Sequence, residues 1–350
     1  MSLIRSVALH GALLGVSSVL ALMVWTKDEK PKTAGEQQIE IWGGRSDELT
    51  SVSYEAEKSR VQLEPRKDST GRWYAVTLEK TIDAPPAGPD AGAPPPALSM
   101  PPAGDAGAAK PQTKRETQRF VSAKEGEKVT DLLAPMMALR ALGKVDPARN
   151  EEFGFDKPEG TLRVAFGSRQ HVLTIGGTTP GGGDRYVKDG NNNAYAISGE
   201  IPRGLQFAES RLIERELHGF QATDVKRVKI TKGGKSRELT RVEEKQDGWA
   251  DIATPGKLDE TAGNWMSKVG RLRVQQYVET VGVPILPEYQ IVRIEYFDAK
   301  KNIGFMDLVK IPESKGNAGY LVNTEYTRWH GQVLKASAEQ VEQDLGAVLK

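Results

Sequence analysis

The sequence predicts an α+β protein in which antiparallel sheet dominates and one structural unit occurs twice. Short runs that alternate apolar and polar residues recur along the chain between turns rich in Gly, Asn and Asp, which is typical of antiparallel strands. One amphipathic helix stripe, Val129, Leu132, Met136 and Leu139, recurs 133 residues later as Ala262, Trp265, Val269 and Leu272. Strand-like residues recur 176 residues apart, Leu49, Val52 and Tyr54 matching Val225, Val228 and Ile230.

The first unit is predicted to begin with strands and to contain one main helix. Pro135 lies inside that helix and should kink it, since an interior proline costs about 3 kcal/mol. The Asp189-Gly190 pair between two apolar runs indicates a hairpin. In chain order the predicted elements are strands at Ile39–Trp42, Leu49–Tyr54, Val61–Leu63 and Trp73–Leu78, the helix Lys128–Leu142, strands at Leu162–Phe166 and His171–Ile175, the hairpin Tyr186–Ile197, a helix starting near Ser198, and a helical or turn segment at Leu212–His218.

The second unit restarts the pattern at Phe220. Gly248-Trp249 repeats the glycine-tryptophan turn that precedes the first main helix, and the run Lys257–Val278 contains the second main helix. The remaining predicted elements are strands at Leu239–Val242, Trp249–Ile252, Ile291–Tyr296, Gly304–Val309, Tyr320–Val322 and Gln332–Leu334, and a short closing helix at Ser337–Leu345. The predicted domains are therefore a first α+β repeat over 39–217 and a second over 218–350.

An apolar segment, Val7–Trp25, precedes both units. At about 1.5 Å per residue it is long enough for a hydrocarbon core of about 30 Å, and it lacks a small-x-small cleavage site, so a retained anchor within residues 1–32 is favoured over a cleaved signal peptide. Lys27, Lys30 and Lys32 follow the segment, and the positive-inside count alone favours an exported amino terminus. Because short amino-terminal anchors usually export the domain behind them, we expect a single-pass inner-membrane protein with its bulk in the periplasm.

The segment Asp83–Gln112 is dominated by Pro, Ala and Gly. Such a stretch buries too little apolar surface to offset its ordering entropy, so we expect a disordered loop inside the first unit. A tolerated surface insertion is favoured over a proline-rich ligand for a partner domain.

Composition excludes several classes of function. Lys and Arg total 48 against 47 Asp and Glu, so the chain has no basic excess and is not expected to bind nucleic acid. It contains 0 Cys, which excludes disulfides, thiolate metal sites and cysteine nucleophiles.

No pattern in the chain predicts catalysis, a metal or a cofactor. The glycine run at Gly181–Gly183 leads into a strand and lacks the Lys-Ser/Thr of a phosphate loop, and the Asp189 turn lacks the alternate carboxylates of a calcium loop. The four histidines lie far apart in sequence, and no Gly-x-Ser-x-Gly elbow occurs. We therefore expect a protein that is not an enzyme.

The contact candidates are a basic hairpin and two tryptophans. Alternation along one strand makes the hairpin a potential positive stripe for anionic lipid or an acidic partner, although a solvated outer face is the simpler interpretation. Trp73, Trp249 and Trp265 occupy repeat positions and are expected in the core, whereas two others lie off the pattern and are candidates for exposed contacts. The candidate residues are Lys226, Arg227, Lys229, Lys232, Lys235, Arg237 and Arg241 of the hairpin, with Trp42 and Trp329.

Four features together resemble an uncharacterised bacterial envelope family, domain-of-unknown-function family 4340. They are the amino-terminal anchor, the Gly71-Arg72-Trp73 strand, the leucine-striped helix before Phe153–Pro158, and the strand-turn-strand at Arg185–Tyr195. The resemblance extends over about Ser46–Val281, and the Pro/Ala insert departs from the usual pattern. Such proteins are often encoded beside ABC-transporter genes of the gliding-motility type, which implies an accessory role at an export or motility complex and supplies no catalytic residues.

The sequence therefore predicts a non-enzymatic, membrane-anchored scaffold whose partners are the inner membrane and a membrane protein such as an ABC-transporter subunit. The alternative is a periplasmic ligand-binding or envelope-modifying module with its site between the two repeats.

Overall fold

A computed structural model describes residues 39–83, 113–242, 248–278, 287–312 and 319–350. In the first half the strands are β1 (Ile39–Trp42), β2 (Leu49–Glu55), β3 (Ser59–Asp68), β4 (Gly71–Asp83), β5 (Thr113–Ser122), β6 (Met136–Ala138), β7 (Arg140–Lys144), β8 (Gly160–Phe166), β9 (Arg169–Thr178), β10 (Arg185–Asp189) and β11 (Asn193–Ile197). The helices there are α1 (Lys124–Leu133), α2 (Glu200–Gln206) and α3 (Ala208–Arg211).

The second half repeats this mixture of strands and helices. Its strands are β12 (Arg227–Lys232), β13 (Lys235–Arg241), β14 (Trp249–Asp251), β15 (Val274–Val278), β16 (Gln290–Phe297), β17 (Asn302–Ile311), β18 (Gly319–Thr324) and β19 (His330–Val333). Its helices are α4 (Glu260–Val269) and α5 (Lys335–Val348), and α5 is longer than the short closing helix that the sequence predicts. The α+β class with antiparallel sheet is confirmed.

Two large sheets have a common strand order. The first is β5-β4-β3-β2-β8-β9-β10-β11-β7 and the second is β14-β13-β12-β16-β17-β18-β19-β15, so the second matches the first without β5. A third, two-stranded sheet pairs β1 with β6. The central register also agrees: Val52 lies opposite Leu63 and Val164, while Val228 lies opposite Leu239 and Tyr296.

The first main helix differs from its predicted extent. It ends at Leu133 rather than Leu142, and the following residues form β6 and β7. Pro135 explains the early end, because proline has no N–H to donate and disfavours helical backbone in the residue before it. The predicted stripe is therefore wrong beyond this point, and Leu132 is exposed.

The two helices align at a spacing of 136 residues rather than 133. The buried residues of α1 are Gly126, Val129, Thr130 and Leu133, and those of α4 are Ala262, Trp265, Met266 and Val269. Leu212–His218 is also not helical beyond the end of α3.

Residues Ile39–Lys350 form one compact unit, and a single large apolar core contains side chains from both halves. β4 and β5 remain paired as far as Asp83 and Thr113, so the predicted Pro/Ala insert joins two paired strands. Residues 84–112 of that insert, like the apolar segment Val7–Trp25, lie outside the described residues. In the part of the chain that is described, no helix is both long and apolar enough to cross a membrane.

Candidate functional site

The two large sheets approach each other through their edges. β5 pairs only with β4, and β15 pairs only with β19, so each strand has one side without a sheet neighbour. These two strands come close together where the halves meet. Within the described residues no ladder of backbone hydrogen bonds joins β5 directly to β15.

A short extended segment fills part of the space between these edges. The Glu214 N–H donates to the Val121 carbonyl of β5 at 2.8 Å, and the Val274 N–H of β15 donates to the Arg215 carbonyl at 3.0 Å. The Arg215 guanidinium also donates to the Val274 carbonyl at 3.1 Å. Glu214 and Arg215 therefore act as two residues of a strand that is hydrogen-bonded to both sheets.

Beyond this segment the two edges enclose an open groove of about 620 Å³. Its walls are mostly polar and include an ion pair between Lys80 and Glu209. The remaining lining residues come from the three strands β4, β5 and β15: Leu78, Glu116, Thr117, Gln118, Arg119, Gln276, Tyr277 and Val278.

Backbone polarity on the β5 side of the groove follows from the Val121 hydrogen bond. Residues of an antiparallel strand direct their N–H and C=O groups alternately to the two sides. Since the Val121 carbonyl faces away from β4, the backbone groups of Thr117 and Arg115 face the same way. The groove therefore offers strand-pairing groups, which favour an extended peptide over a small apolar molecule.

Buried tyrosines fix the inner end of the groove. The Tyr277 hydroxyl donates to the Glu214 carbonyl at 2.8 Å, and the Tyr326 hydroxyl donates to the Glu214 carboxylate at 3.3 Å. Burial, and next the nearby Glu214 charge, raise the pKa of both tyrosines, so both hydroxyls stay protonated and can donate. This end is therefore rigid and closed.

Arg328 connects the halves beside the groove. Its guanidinium donates to the Asp68 carboxylate at 2.8 Å and to the Tyr326 carbonyl at 2.7 Å, and it lies 5.4 Å from the Trp73 ring centre. Burial alone would raise the pKa of Asp68, but hydrogen bonds from Arg328 and Thr70 outweigh it and lower this pKa to about 2. The pair is a specific charge contact between the first and second sheets.

The off-pattern tryptophans are not the exposed contacts that the sequence predicts. Trp42 is buried, donates its indole N–H to the Leu133 carbonyl at 2.9 Å, and stacks on His171 at 4.9 Å. Trp329 is partly buried where the halves meet, edge-on to Trp73 at 6.1 Å. Of the tryptophans expected in the core, Trp249 and Trp265 are buried, while Trp73 is only partly buried.

The basic hairpin forms as predicted, but its charges are partly neutralised. Arg227 pairs with Glu238 at 2.6 Å, and Arg237 pairs with Asp251 and Asp259 at 2.9 and 2.7 Å. Lys229 lies opposite Glu238 on one neighbouring strand and Glu295 on the other. A continuous positive stripe is therefore wrong, because alternation along one strand does not include the carboxylates of its neighbours. Arg241 donates to the backbone carbonyls of Val225 and Ala222, whereas Lys226, Lys232 and Lys235 are exposed.

The glycine run and the Asp189 turn are connections, as predicted. Gly181–Gly183 lies in the loop between β9 and β10. The Asp189 carboxylate accepts from the Asn191 and Asn193 N–H groups at 2.9 and 2.8 Å, which closes the hairpin. Across the described ranges, no three or more His, Asp or Glu side chains are grouped so as to hold a metal.

The strand β5 was missed at the sequence level, and the groove with it. Its first six residues, Thr113 to Gln118, are all polar, so they show no apolar alternation. The Phe120-Val121 pair was the one available signal for a strand here.

Comparison with protein families matches residues 119–291, just under half of the chain, to the family described as "Domain of unknown function (DUF4340)". The match includes Phe153–Pro158 and the Arg185–Tyr195 hairpin, on which the resemblance rests. No curated protein and no solved structure matches the chain. Through the segment 119–291 the chain belongs to the DUF4340 family.

Proposed function

We propose that this protein is a non-enzymatic scaffold that docks an extended segment of a partner protein in the groove between β5 and β15. The observation that carries the proposal is the Glu214–Arg215 segment, which already pairs with both edges at the closed end of the groove. A partner strand entering from the open end would continue this pairing. Strand addition to a sheet edge derives its affinity from main-chain hydrogen bonds and its register from side-chain pockets.

The place of action is also proposed. The apolar segment Val7–Trp25 supports a single inner-membrane anchor, with the two α+β repeats in the periplasm. The resemblance to envelope proteins encoded beside gliding-motility-type transporters supports an ABC-type transporter or export complex as the partner. The common strand order of the two large sheets supports their origin as copies of one unit.

Backbone pairing is tested by changing one N–H group in the groove. Thr117→Pro removes a main-chain donor that faces the groove and leaves the β4–β5 ladder intact, since that donor does not point to β4. Thr117→Val is the matched control, because it removes the hydroxyl and keeps the N–H. We expect a transporter subunit to co-purify in stoichiometric amount with wild type and Thr117→Val but not with Thr117→Pro. Equal recovery with both variants would exclude strand pairing.

The position of the partner is tested by photo-crosslinking. p-Benzoylphenylalanine at Gln276, in the groove wall, should crosslink to the co-purifying subunit, and the same residue at Ser168, in the exposed β8–β9 turn, should not. Crosslinking at Ser168 alone would move the contact to another face of the molecule.

The anchor is tested independently of the groove. The full chain should fractionate with membranes, and a chain that lacks residues 1–32 should not. An alkaline phosphatase fused after Lys350 should be active, because that enzyme folds only outside the cytoplasm. A reporter active only in the cytoplasm would reverse the proposed topology.

A further inference from the structure

A second groove, of about 780 Å³, lies between the connection of the halves and the carboxyl end of α4. Buried apolar side chains form much of its wall, among them Trp249, Met266, Leu272 and Tyr296. It is distinct from the groove between β5 and β15, with which it shares no lining residue. Its size and apolar wall are typical of a site for a small molecule.

One polar group of this groove has an unmet hydrogen-bonding capacity. His218 Nε2 is buried and has no hydrogen-bond partner among the residues that the structure describes. The other ring nitrogen, Nδ1, lies 2.9 Å from a Glu325 carboxylate oxygen, and the second Glu325 oxygen accepts the Phe305 N–H at 2.8 Å. Buried polar atoms almost always have a partner, so an orphan of this kind indicates a bound molecule.

The ring of His218 is also held in place by its neighbours. It stacks on Phe220 at 4.6 Å and meets Tyr296 edge-on at 4.6 Å. With Glu325 on Nδ1, an imidazolium can present its Nε2–H to an anion without losing the contact that orients it.

The charged groups around the groove are mainly basic. Lys124, Arg241, Arg271 and Arg273 line it, and the lining contains a single carboxylate, Glu216. That carboxylate is 3.2 Å from Arg273 Nε and is therefore already paired. Lys124 and Arg271 are exposed and form no ion pair within the described residues. The uncompensated charge favours an anion.

We propose that this groove binds a small anion that carries an apolar body, such as an organic phosphate or carboxylate. The apolar body packs between Trp249 and Met266, the anionic group faces Lys124 and Arg271, and His218 Nε2 makes the buried polar contact. This site is independent of the strand-docking function, and either can fail without the other.

The test uses the full chain in nonionic detergent micelles, with phenyl phosphate as the probe. Isothermal titration calorimetry gives the affinity, and proton–nitrogen correlation spectra of the imidazoles follow His218, whose signal is identified by its loss in His218→Gln. We expect phenyl phosphate to shift the His218 Nε2 signal and neutral phenol to bind at least about tenfold more weakly. Octyl phosphate serves as a second probe: tighter binding of octyl than of phenyl phosphate would assign a lipid-like body, and the reverse an aromatic one.

Two exposed changes keep the test independent of folding. Lys124→Gln combined with Arg271→Gln should weaken phenyl phosphate binding about tenfold, the effect of losing about one charge-assisted hydrogen bond. Lys67→Gln, an exposed lysine on β3, should bind like wild type. The proposal is overturned if phenyl phosphate leaves the His218 signal unchanged, if the double variant binds as tightly as wild type, or if phenol binds as well as the phosphate.

Discussion

Asp68 gives the first sheet a charge contact with Arg328 of the second, and its depressed pKa makes the contact measurable. The folded-state pKa is about 2 against an ordinary 3.8, so the ionised carboxylate stabilises the fold above about pH 4, and this contribution is lost as the pH falls towards 2. Asp68→Asn should lower the free energy of unfolding by about 1–2 kcal/mol near pH 6, after allowance for the partial exposure of the carboxylate. Urea unfolding at about pH 6 and about pH 2.5 should show the difference shrinking at the lower pH.

The exposed pair of Arg45 and Asp47 is the matched control. Asp47→Asn should leave the free energy of unfolding unchanged at both pH values, since solvent screens this pair. Equal effects of Asp68→Asn and Asp47→Asn would show that the contact between the sheets does not stabilise the fold.

Trp42 and Trp329 allow the same substitution at two different environments. Trp42→Phe removes the indole donor and leaves the buried Leu133 carbonyl without it, which should cost about 1–2 kcal/mol beyond the lost packing. Trp329→Phe removes the same number of atoms from a partly buried site whose contacts are aromatic rings and Arg119. Chemical denaturation should therefore show the larger loss for Trp42→Phe. A larger loss for Trp329→Phe would contradict the assigned hydrogen bond.

The residue scale is where sequence reasoning was weakest. Trp42 becomes buried only because β1 pairs with β6, a contact between residues about 95 positions apart in the chain. Arg227 loses its availability to Glu238 on the next strand. Both outcomes depend on tertiary neighbours, which period and composition along one strand do not contain.

At the scale of the element, two helical glycines have opposite expected effects. A Cβ on Gly126 of α1 would meet the Tyr74 ring at 2.6 Å and the Ser122 hydroxyl at 2.8 Å, whereas a Cβ on Gly346 of α5 meets nothing within 4 Å. Gly126→Ala should therefore destabilise the fold by about 1–3 kcal/mol through overpacking. Gly346→Ala should stabilise it by about 0.5–1 kcal/mol through helix propensity. Midpoints of thermal or urea unfolding measure both, and stabilisation by Gly126→Ala would contradict the close packing of α1 against β4.

Elements with a regular apolar period were predicted well, and the others were not. β8 alternates buried and partly exposed residues along its whole length, and its predicted position is correct. α1 was extended too far because the stripe seemed to continue through Met136 and Leu139, although Pro135 ends the helix. β5 was missed because a polar edge strand takes its stability from the neighbouring ladder, here β4, and not from its own apolar face.

At the scale of the whole molecule, the repeated unit was visible in sequence but the way the copies join was not. The register of Val52 and Val228 follows from their 176-residue spacing. The junction depends on backbone groups of Glu214 and Arg215, which have no sequence signature at all. A groove formed by strand edges is therefore invisible to a search for motifs of side chains.

The junction predicts that the two halves unfold together. Both halves contribute to one apolar core, and Glu214, Arg215 and Arg328 connect their polar groups. Calorimetric and van't Hoff enthalpies of unfolding should agree, and hydrogen exchange should give the same opening free energy for β8 and β16. Arg328→Ala with Tyr326→Phe should separate the two opening free energies by about 1 kcal/mol or more, since it removes contacts between the halves and leaves each sheet intact. Different opening free energies for β8 and β16 in the wild type would mean that the sheets are stable independently, and the groove between them would then not be a fixed site.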